Sequence, residues 1–167
     1  KESARLVLDL EGYADKAMDI AIAMSGVPGL AAAYDAPDAA EGRRILREAT
    51  EALYERYAAH MRPHRPEIHY HRPPGQSFLR LWVSDSAKAG GDDISFRPTI
   101  REIMRTHRPV HGFEAGRSGL EIRALAPVLD DERFLGSVEM KYDLKNITHH
   151  VGEYERVMLL THSDAAR

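Results

Sequence analysis

The feature that most constrains this chain is an alternation of apolar and polar residues between residues 67 and 143. The segments GLEIRALAPVL and RFLGSVEMKYD place an apolar residue or glycine at every second position along most of their length. Because successive side chains of a β-strand point to opposite faces, this period predicts strands with one face on a core. The shorter runs IHYH, SFLRLWV and VHGFEAG, bounded by Pro- or Gly-containing turns, extend the pattern. The sequence therefore predicts a five-stranded antiparallel sheet.

The N-terminal segment has a helical period, with apolar residues stepping by three and four as in a heptad repeat. These seam positions are Leu6, Leu10, Tyr13, Ala17, Ile20 and Met24. A second apolar stripe, Val7, Ala14, Met18 and Ala21, widens this face, so we expect the helix to pack on its own domain and on another helix, as in a dimer. Packing on the chain's own core alone is the alternative.

Three further helices are predicted. The first runs over residues 38–60 with Asp38 as N-cap, the second follows Pro98 over residues 99–106, and the third covers residues 144–162. The apolar side of the first holds Ile45, Ala49, Ala52, Leu53 and Tyr57, and that of the last holds Leu144, Ile147, Val151, Tyr154 and Met158. The expected fold class is α+β in one domain, with a helical N-terminal segment over residues 1–60, a sheet over residues 67–143 and a C-terminal helix over residues 144–162.

Composition excludes several classes of function. The net charge of −3 and the scatter of basic residues among acidic ones argue against nucleic-acid binding. The chain has no cysteine, and no apolar run approaches the roughly 20 residues of a membrane span. No GxSxG, HExxH or phosphate-loop motif occurs, so we expect no enzyme activity. The start at Lys1, without a methionine, leads us to expect a piece of a longer protein.

One face of the predicted sheet, here called the mixed face, combines charged and aromatic residues. It holds His69, His71, Phe78, Arg80, Trp82, Glu121, Arg123, Ser137 and Glu139. A solvent-exposed face has little use for a tryptophan, which favours a partly covered pocket over a wet surface. Guanidinium groups in such a pocket favour a small carboxylate ligand, although each arginine could instead pair with Glu121 or Glu139 across the sheet.

The HxH spacing of His69 and His71 suggests a second chemistry. With Glu139 as third ligand, the two imidazoles would resemble a facial site of two histidines and one carboxylate. This alternative predicts a metal-dependent enzyme. The preferred hypothesis needs neither a metal nor a cofactor.

Four segments carry a resemblance to a known family: IHYHRPPGQSFLRLW, GDDISFRPTI, RPVHGFEAGRSGLEIRALAPV and FLGSVEM. Over about residues 67–143 they resemble the Cache-type extracytoplasmic sensor domains of bacterial chemoreceptors, sensor histidine kinases and diguanylate cyclases. The resemblance implies a single-Cache, PAS-like sheet between a long N-terminal helix and a C-terminal helix that leads into the membrane. It also implies a ligand pocket on the face opposite the long helix, under a loop and a short helix. The implied lining is His71, Arg80, Trp82, Phe96, Arg97, Glu114, Arg123 and Glu139, to which the alternation adds His69 and Phe78.

We therefore expect the periplasmic ligand-binding domain of a membrane-anchored bacterial signalling receptor, most simply a chemoreceptor. It would bind a small organic acid and signal as a homodimer through its terminal helices. An amine paired with Glu114 and Glu139 is the other ligand class left open. Besides the metal-dependent enzyme, the other rival is a ligand-free, PAS-like dimerisation module. The sequence names neither the ligand nor the effector.

Overall fold

The computed structural model describes residues 2–84, 88–116 and 119–143, with side chains for 10–84, 88–115 and 119–143. The elements are α1 (Glu2–Ser25), α2 (Leu30–Tyr34), α3 (Ala39–His60), β1 (Glu67–Arg72), β2 (Gln76–Arg80), α4 (Pro98–Thr106), β3 (Val110–Gly116), β4 (Gly119–Asp130) and β5 (Arg133–Asp143). The predicted C-terminal helix 144–162 and its heptads lie outside these residues.

The strands form one antiparallel sheet in the order β2-β1-β5-β4-β3. The longest strands, β4 and β5, lie side by side and form a hairpin around Asp131, whose φ is 52°. The predicted α+β fold with a PAS-like five-stranded sheet and a long N-terminal helix is confirmed. The short helix α2 was not predicted.

Helix α1 packs on the apolar face of the sheet, against β4 and β5. The predicted seam residues Leu10, Ala17, Ile20 and Met24 are all buried inside this chain, where they meet residues such as Ile122 and Met140. The predicted packing of this helix on its own domain is therefore what the structure has, and contact of α1 with a second copy stays a prediction.

Helix α3 begins as predicted, and its most buried stripe lies one residue along from the predicted one, of which Ile45, Leu53 and Tyr57 still pack against the core. Asp38 Oδ1 accepts hydrogen bonds from the backbone N–H groups of Ala40 and Glu41, both at 2.9 Å. The buried residues step by four: Gly42, Leu46, Thr50, Tyr54 and Ala58. The predicted Ile45, Ala49, Leu53 and Tyr57 flank this stripe, and Ala52 is exposed. A contact stripe built on glycine and threonine gives a weak hydrophobic period, which is why the sequence pattern misplaced it.

A bulge in β2 changes which residues share a face. His69 lies opposite Arg80 and Tyr70 opposite Leu79, but His71 lies opposite Ser77, so the register shifts around Phe78. Phe78 therefore joins the helix-side core, where its ring meets Tyr34 at 5.0 Å and the guanidinium of Arg72 at 3.8 Å. The prediction that Phe78 lies on the mixed face is wrong, because simple alternation does not anticipate a bulge.

Two elements cover the mixed face. Residues 89–94 run along the outer edge of β2, with hydrogen bonds from Ser77 N to Asp92 O (2.9 Å) and from Arg80 N to Ala89 O (2.7 Å). Gly90 is required for this approach, since a Cβ there would lie 2.3 Å from the carbonyl oxygen of Phe78. Helix α4 then buries Ile100 and Ile103 against Leu125 of β4. The mixed face is thereby partly covered.

In the part of the chain that the structure describes, no helix is both long enough and apolar enough to cross a membrane.

Candidate functional site

The register of the sheet lines up the polar residues of the mixed face in rows. One row runs Arg80, His69, Glu139 and Leu125 from β2 to β4. The next runs Glu67, Lys141 and Arg123 from β1 to β4. Side chains that lie directly opposite on neighbouring strands are close enough to interact. Charges far apart in sequence therefore meet on one surface.

These rows form the floor of a cavity of about 640 Å³ under residues 92–97. Its lining consists of His69, Arg80, Trp82, Asp92, Asp93, Ile94, Phe96, Arg97, Ala115, Glu121, Arg123, Glu139 and Lys141. The volume is within the range of small-molecule sites. Glu121, Arg123 and Glu139 on its floor are each at most 2% exposed, so the mixed face is not simply wet.

Arg123 is held by three carboxylates. It donates from Nη1 to Glu139 Oε1 at 2.6 Å and from Nη2 to Glu121 Oε2, and its Nε lies 3.3 Å from Glu114 Oε2 without hydrogen-bond geometry. Burial alone would lower the pKa of Arg123, but Glu139 and Glu121 together raise it. Its charge is compensated within the protein, so Arg123 organises the floor and is not free to receive a ligand.

Two other cations of the cavity are also paired. Arg80 donates to Asp92 Oδ2 at 2.7 Å. Lys141 Nζ lies 2.8 Å from Glu67 Oε2 and 2.9 Å from Glu121 Oε1. Burial would lower the pKa of Lys141, but hydrogen bonds to these two carboxylates raise it. Each of these groups has a carboxylate at hydrogen-bond distance.

Arg97 differs from them. Its Nη1 lies 4.0 Å from Glu139 Oε1, a distance that is too long for a hydrogen bond, and its side chain is only 22% exposed. Burial, followed by repulsion from Arg123, lowers the pKa of Arg97. The residue also caps α4 with extended backbone, so its position is fixed by the helix. Among the cavity-lining cations, Arg97 is the one whose charge is least compensated.

The two histidines stand side by side with their ring centroids 4.2 Å apart. His69 Nε2 is 2.7 Å from Ser77 Oγ, and His71 Nδ1 is 2.9 Å from Ser137 Oγ. Burial, with smaller contributions from neighbouring positive groups, lowers the pKa of both imidazoles well below the ordinary value. Both rings are therefore neutral at pH 7. His71 Nε2 and Glu139 Oε2 are buried without a hydrogen-bond partner.

Apolar walls complete the cavity. The indole of Trp82 meets the His69 ring edge-on at 6.0 Å. The turn that carries Trp82 is held from behind by Arg47, which donates to the carbonyl oxygens of Leu81 at 3.1 Å and Val83 at 2.7 Å. Phe96 stands at the rim with 68% of its surface exposed. An exposed phenylalanine beside a polar cavity is suited to covering a bound molecule.

Seven of the ten predicted site residues line this cavity: His69, Arg80, Trp82, Phe96, Arg97, Arg123 and Glu139. His71 lies beneath His69, fully buried. Glu114 faces α4, where Oε1 accepts a 2.6 Å hydrogen bond from the backbone N–H of Thr99. Phe78 is on the other side of the sheet.

The site prediction missed other lining residues, namely Asp92, Asp93, Ile94, Ala115, Glu121 and Lys141. Asp92 and Asp93 could have been predicted from the two adjacent aspartates of the GDDIS segment. Glu121 could have been predicted too, because the alternation placed it on the mixed face. Nothing local marked Lys141, which faces Arg123 only because of the pairing of β4 and β5.

A second cavity, of about 650 Å³, lies where α1 and the end of α3 meet β5. Several of its charged groups lie toward solvent, such as Arg65, which pairs with Glu55 at 3.2 Å and is 60% exposed. Buried charges converge in the cavity on the mixed face and not here, so the mixed-face cavity is the candidate site.

Residues 10–158 match the dCache_3 family, described as the double sensory domain of two-component sensor kinases. The chain belongs to this family. It is thus a sensory ligand-binding domain of signalling receptors. The resemblance seen in the sequence to Cache sensor domains is confirmed. None of the curated proteins matches the chain.

Solved structures share the fold. A domain of a sensory box/GGDEF family protein from Vibrio parahaemolyticus matches with TM-score 0.57 and 12% identity, covering 88% of this chain and 59% of that one. The sensory domain of the Campylobacter jejuni chemoreceptor Tlp3 matches with TM-score 0.56 and 11% identity, covering 84% and 57%. An extracellular ligand-binding receptor from Desulfohalobium retbaense matches with TM-score 0.51 and 21% identity, covering 83% and 24%.

A further structure of the Tlp3 ligand-binding domain is a complex with 4-methylisoleucine, with TM-score 0.55 and 11% identity, covering 84% of this chain and 55% of that one. The chain therefore spans less than two thirds of the length of each of these structures.

Proposed function

We propose that the chain is the periplasmic sensor domain of a transmembrane bacterial receptor and that it binds a small organic acid in the mixed-face cavity without catalysis. The observation that carries this proposal is Arg97, a largely buried guanidinium with no carboxylate at hydrogen-bond distance among the described residues. A planar guanidinium matches a carboxylate, and a bound anion would offset the cost of burying the charge.

The rest of the cavity supports a small, polar ligand. Arg123 and Lys141 are already neutralised by the protein's own carboxylates, so the ligand needs to supply only a limited charge. Trp82 and Phe96 would contact an apolar part of it. The ligand in the Tlp3 complex, 4-methylisoleucine, is a small molecule with both a carboxylate and an amine, so it is compatible with this ligand class and with the amine alternative.

The sheet offers a short route for a signal. In β5, Glu139 faces the cavity while its neighbours Val138 and Met140 belong to the core beneath α1. A ligand that draws Arg97 and the loop 92–97 toward the floor would favour one position of this strand relative to α1. The shift in population can be no larger than the ligand's difference in affinity for the two states.

The remaining elements of the proposal concern the whole protein. We propose that the domain is anchored in the inner membrane and forms a homodimer through its terminal helices; α1 would contribute its outward face, because its seam is buried. Three points stay predictions. They are that the effector is that of a chemoreceptor, that the chain holds a single Cache module, and that it divides into a helical segment over residues 1–60, a sheet over residues 67–143 and a C-terminal helix over residues 144–162. The family is named for double sensory domains of kinases, while one structural relative is a chemoreceptor.

The test is a calorimetric screen of small mono- and dicarboxylates against the wild type, Arg97→Gln and Arg101→Gln. Arg101 lies one turn further along α4 and is exposed, so its variant is the matched control. A lost charge-assisted hydrogen bond is worth about 1.5–3 kcal/mol, so Arg97→Gln should weaken binding about 10- to 100-fold while Arg101→Gln should not. Equal affinity in all three proteins would refute the role of Arg97.

Two other results would favour a different ligand class or a rival function. If amines bind in place of acids, and Glu139→Gln abolishes that binding, the ligand class is wrong. If neither acids, amino acids nor amines bind, the ligand-free dimerisation module is the better account.

A further inference from the structure

His69, His71 and Glu139 form a compact group of metal-ligating side chains at the base of the cavity. One potential ligand atom from each residue lies within 4.8 Å of the other two, and all three residues are buried. A tetrahedral ion with bonds of about 2.1 Å holds its donors about 3.4 Å apart, so the donors of this cluster are at most about 1.4 Å farther apart than in a closed site.

Two atoms of this cluster have no hydrogen-bond partner among the residues that the structure describes. His71 Nε2 and Glu139 Oε2 are both buried and without a hydrogen bond, on side chains that are at most 1% exposed. Burying a polar atom without a partner is costly, and two such atoms in one cluster indicate a missing group between them. Glu139 Oε1 is already engaged by Arg123 at 2.6 Å, which leaves Oε2 directed elsewhere.

The serine partners fix which nitrogen of each histidine is available. Ser77 Oγ lies 2.7 Å from Nε2 of His69, which leaves Nδ1 as the nitrogen that does not make this contact. Ser137 contacts Nδ1 of His71, which leaves Nε2. A second hydrogen bond that orients the ring is the usual companion of a metal-ligating histidine.

We propose that His69 Nδ1, His71 Nε2 and Glu139 Oε2 bind a divalent transition-metal ion, Zn²⁺ in the first instance. Neutral imidazoles and a carboxylate are the donors such an ion prefers. Since His69 and Glu139 line the cavity, the open coordination position faces it. If the proposed organic acid binds there, its carboxylate would take that position; the metal site itself does not depend on the acid.

Of the two arginines nearest Glu139, Arg123 is balanced by carboxylates, whereas Arg97 is not and acts against a cation here. Arg123 and Arg97 both approach Oε1 of Glu139 and not Oε2. Glu114 and Glu121 lie against Arg123 and compensate its charge. A cation at Oε2 would therefore share Glu139 with a guanidinium whose charge is already balanced.

The experiment is titration of the chelator-treated 167-residue protein with ZnCl₂, and separately with CoCl₂, in the absence of any organic acid. His69→Gln keeps a hydrogen-bond donor near Ser77, and His71→Asn keeps a hydrogen-bond donor near Ser137. Each variant removes the nitrogen that is proposed to bind the metal. We expect one Zn²⁺ per chain, and a loss of affinity of about 100-fold or more in either variant. His111→Asn, which changes an exposed histidine, is the control and should bind as the wild type does.

A second measurement on the wild type needs no variant to fold. In a two-bond ¹H–¹⁵N spectrum, Zn²⁺ should shift two of the nine imidazoles, one through Nδ1 and one through Nε2. Absence of Zn²⁺ binding, binding that survives both variants, or shifts confined to other histidines would overturn the proposal. Because no acid is present, failure here would leave the proposed function of Arg97 unaffected.

Discussion

The buried ion cluster around Arg123 gives the sharpest prediction about stability. In Arg123→Met a flexible apolar side chain of similar length fills the space, so the change removes charge and hydrogen bonds more than volume. In this variant two of the carboxylates still have a cation nearby: Lys141 lies 2.9 Å from Glu121, and Arg97 lies 4.0 Å from Glu139. Glu114 is left with the hydrogen bond from Thr99 but without the cation that contacts it in the described structure.

Breaking a buried ion pair by removing one partner costs about 3–5 kcal/mol, because the remaining charge stays desolvated. For a chain of this size that corresponds to a fall in Tm of roughly 6–20 °C. We expect the free energy of unfolding of Arg123→Met, measured by urea unfolding, to be lower than that of the wild type by this amount. Chelator is present in the assay so that metal binding does not contribute.

The matched control is Arg133→Met. Arg133 also contacts two carboxylates at short distances, Asp35 at 2.7 Å and Asp130 at 2.9 Å, but its side chain is 50% exposed. Solvent screens such pairs, so a far smaller change is expected. Equal urea midpoints for the two variants would refute the reasoning.

Three further predictions concern pH, packing and the rim of the cavity. The folded pKa of His69 and His71 lies well below 6.5, so just below that pH these two rings take up protons mainly in the unfolded chain. The free energy of unfolding should therefore decrease as the pH is lowered, by up to about 1.4 kcal/mol per pH unit for each ring. A urea midpoint that stays constant between about pH 7 and pH 5.5 would contradict this. Gly136→Ala should destabilise by more than about 1 kcal/mol in the same assay, because its Cβ would lie 2.1 Å from the carbonyl oxygen of His71, whereas Gly12→Ala meets nothing within 4 Å and should not. Phe96→Ser should weaken binding of acids that have an apolar tail and leave that of acetate unchanged, by calorimetry.

Local periodicity determined much of the fold. The alternation in β4 and β5, the N-cap Asp38 and the helix start at Pro98 are set by neighbouring residues, so the sequence predicts them without knowledge of the rest. The same alternation separated an apolar face from a mixed face and, with the family resemblance, brought seven of the ten predicted residues to one cavity. Arg97 and Phe96 came from the family resemblance, since nothing in their local pattern marks a lid.

Only the tertiary structure decided which charges are available. Arg80, Arg97 and Arg123 are equivalent as sequence letters, but the strand register gives Arg123 three carboxylates and the edge segment 89–94 brings Asp92 to Arg80, while Arg97 is left at 4.0 Å from Glu139. Likewise, the bulge in β2 sends Phe78 to the core and the pairing of β1 with β5 brings Glu139 to the histidines. Charge compensation and metal-ligand geometry depend on distances between strands, and those are set by packing of the whole sheet and not by any local run of residues.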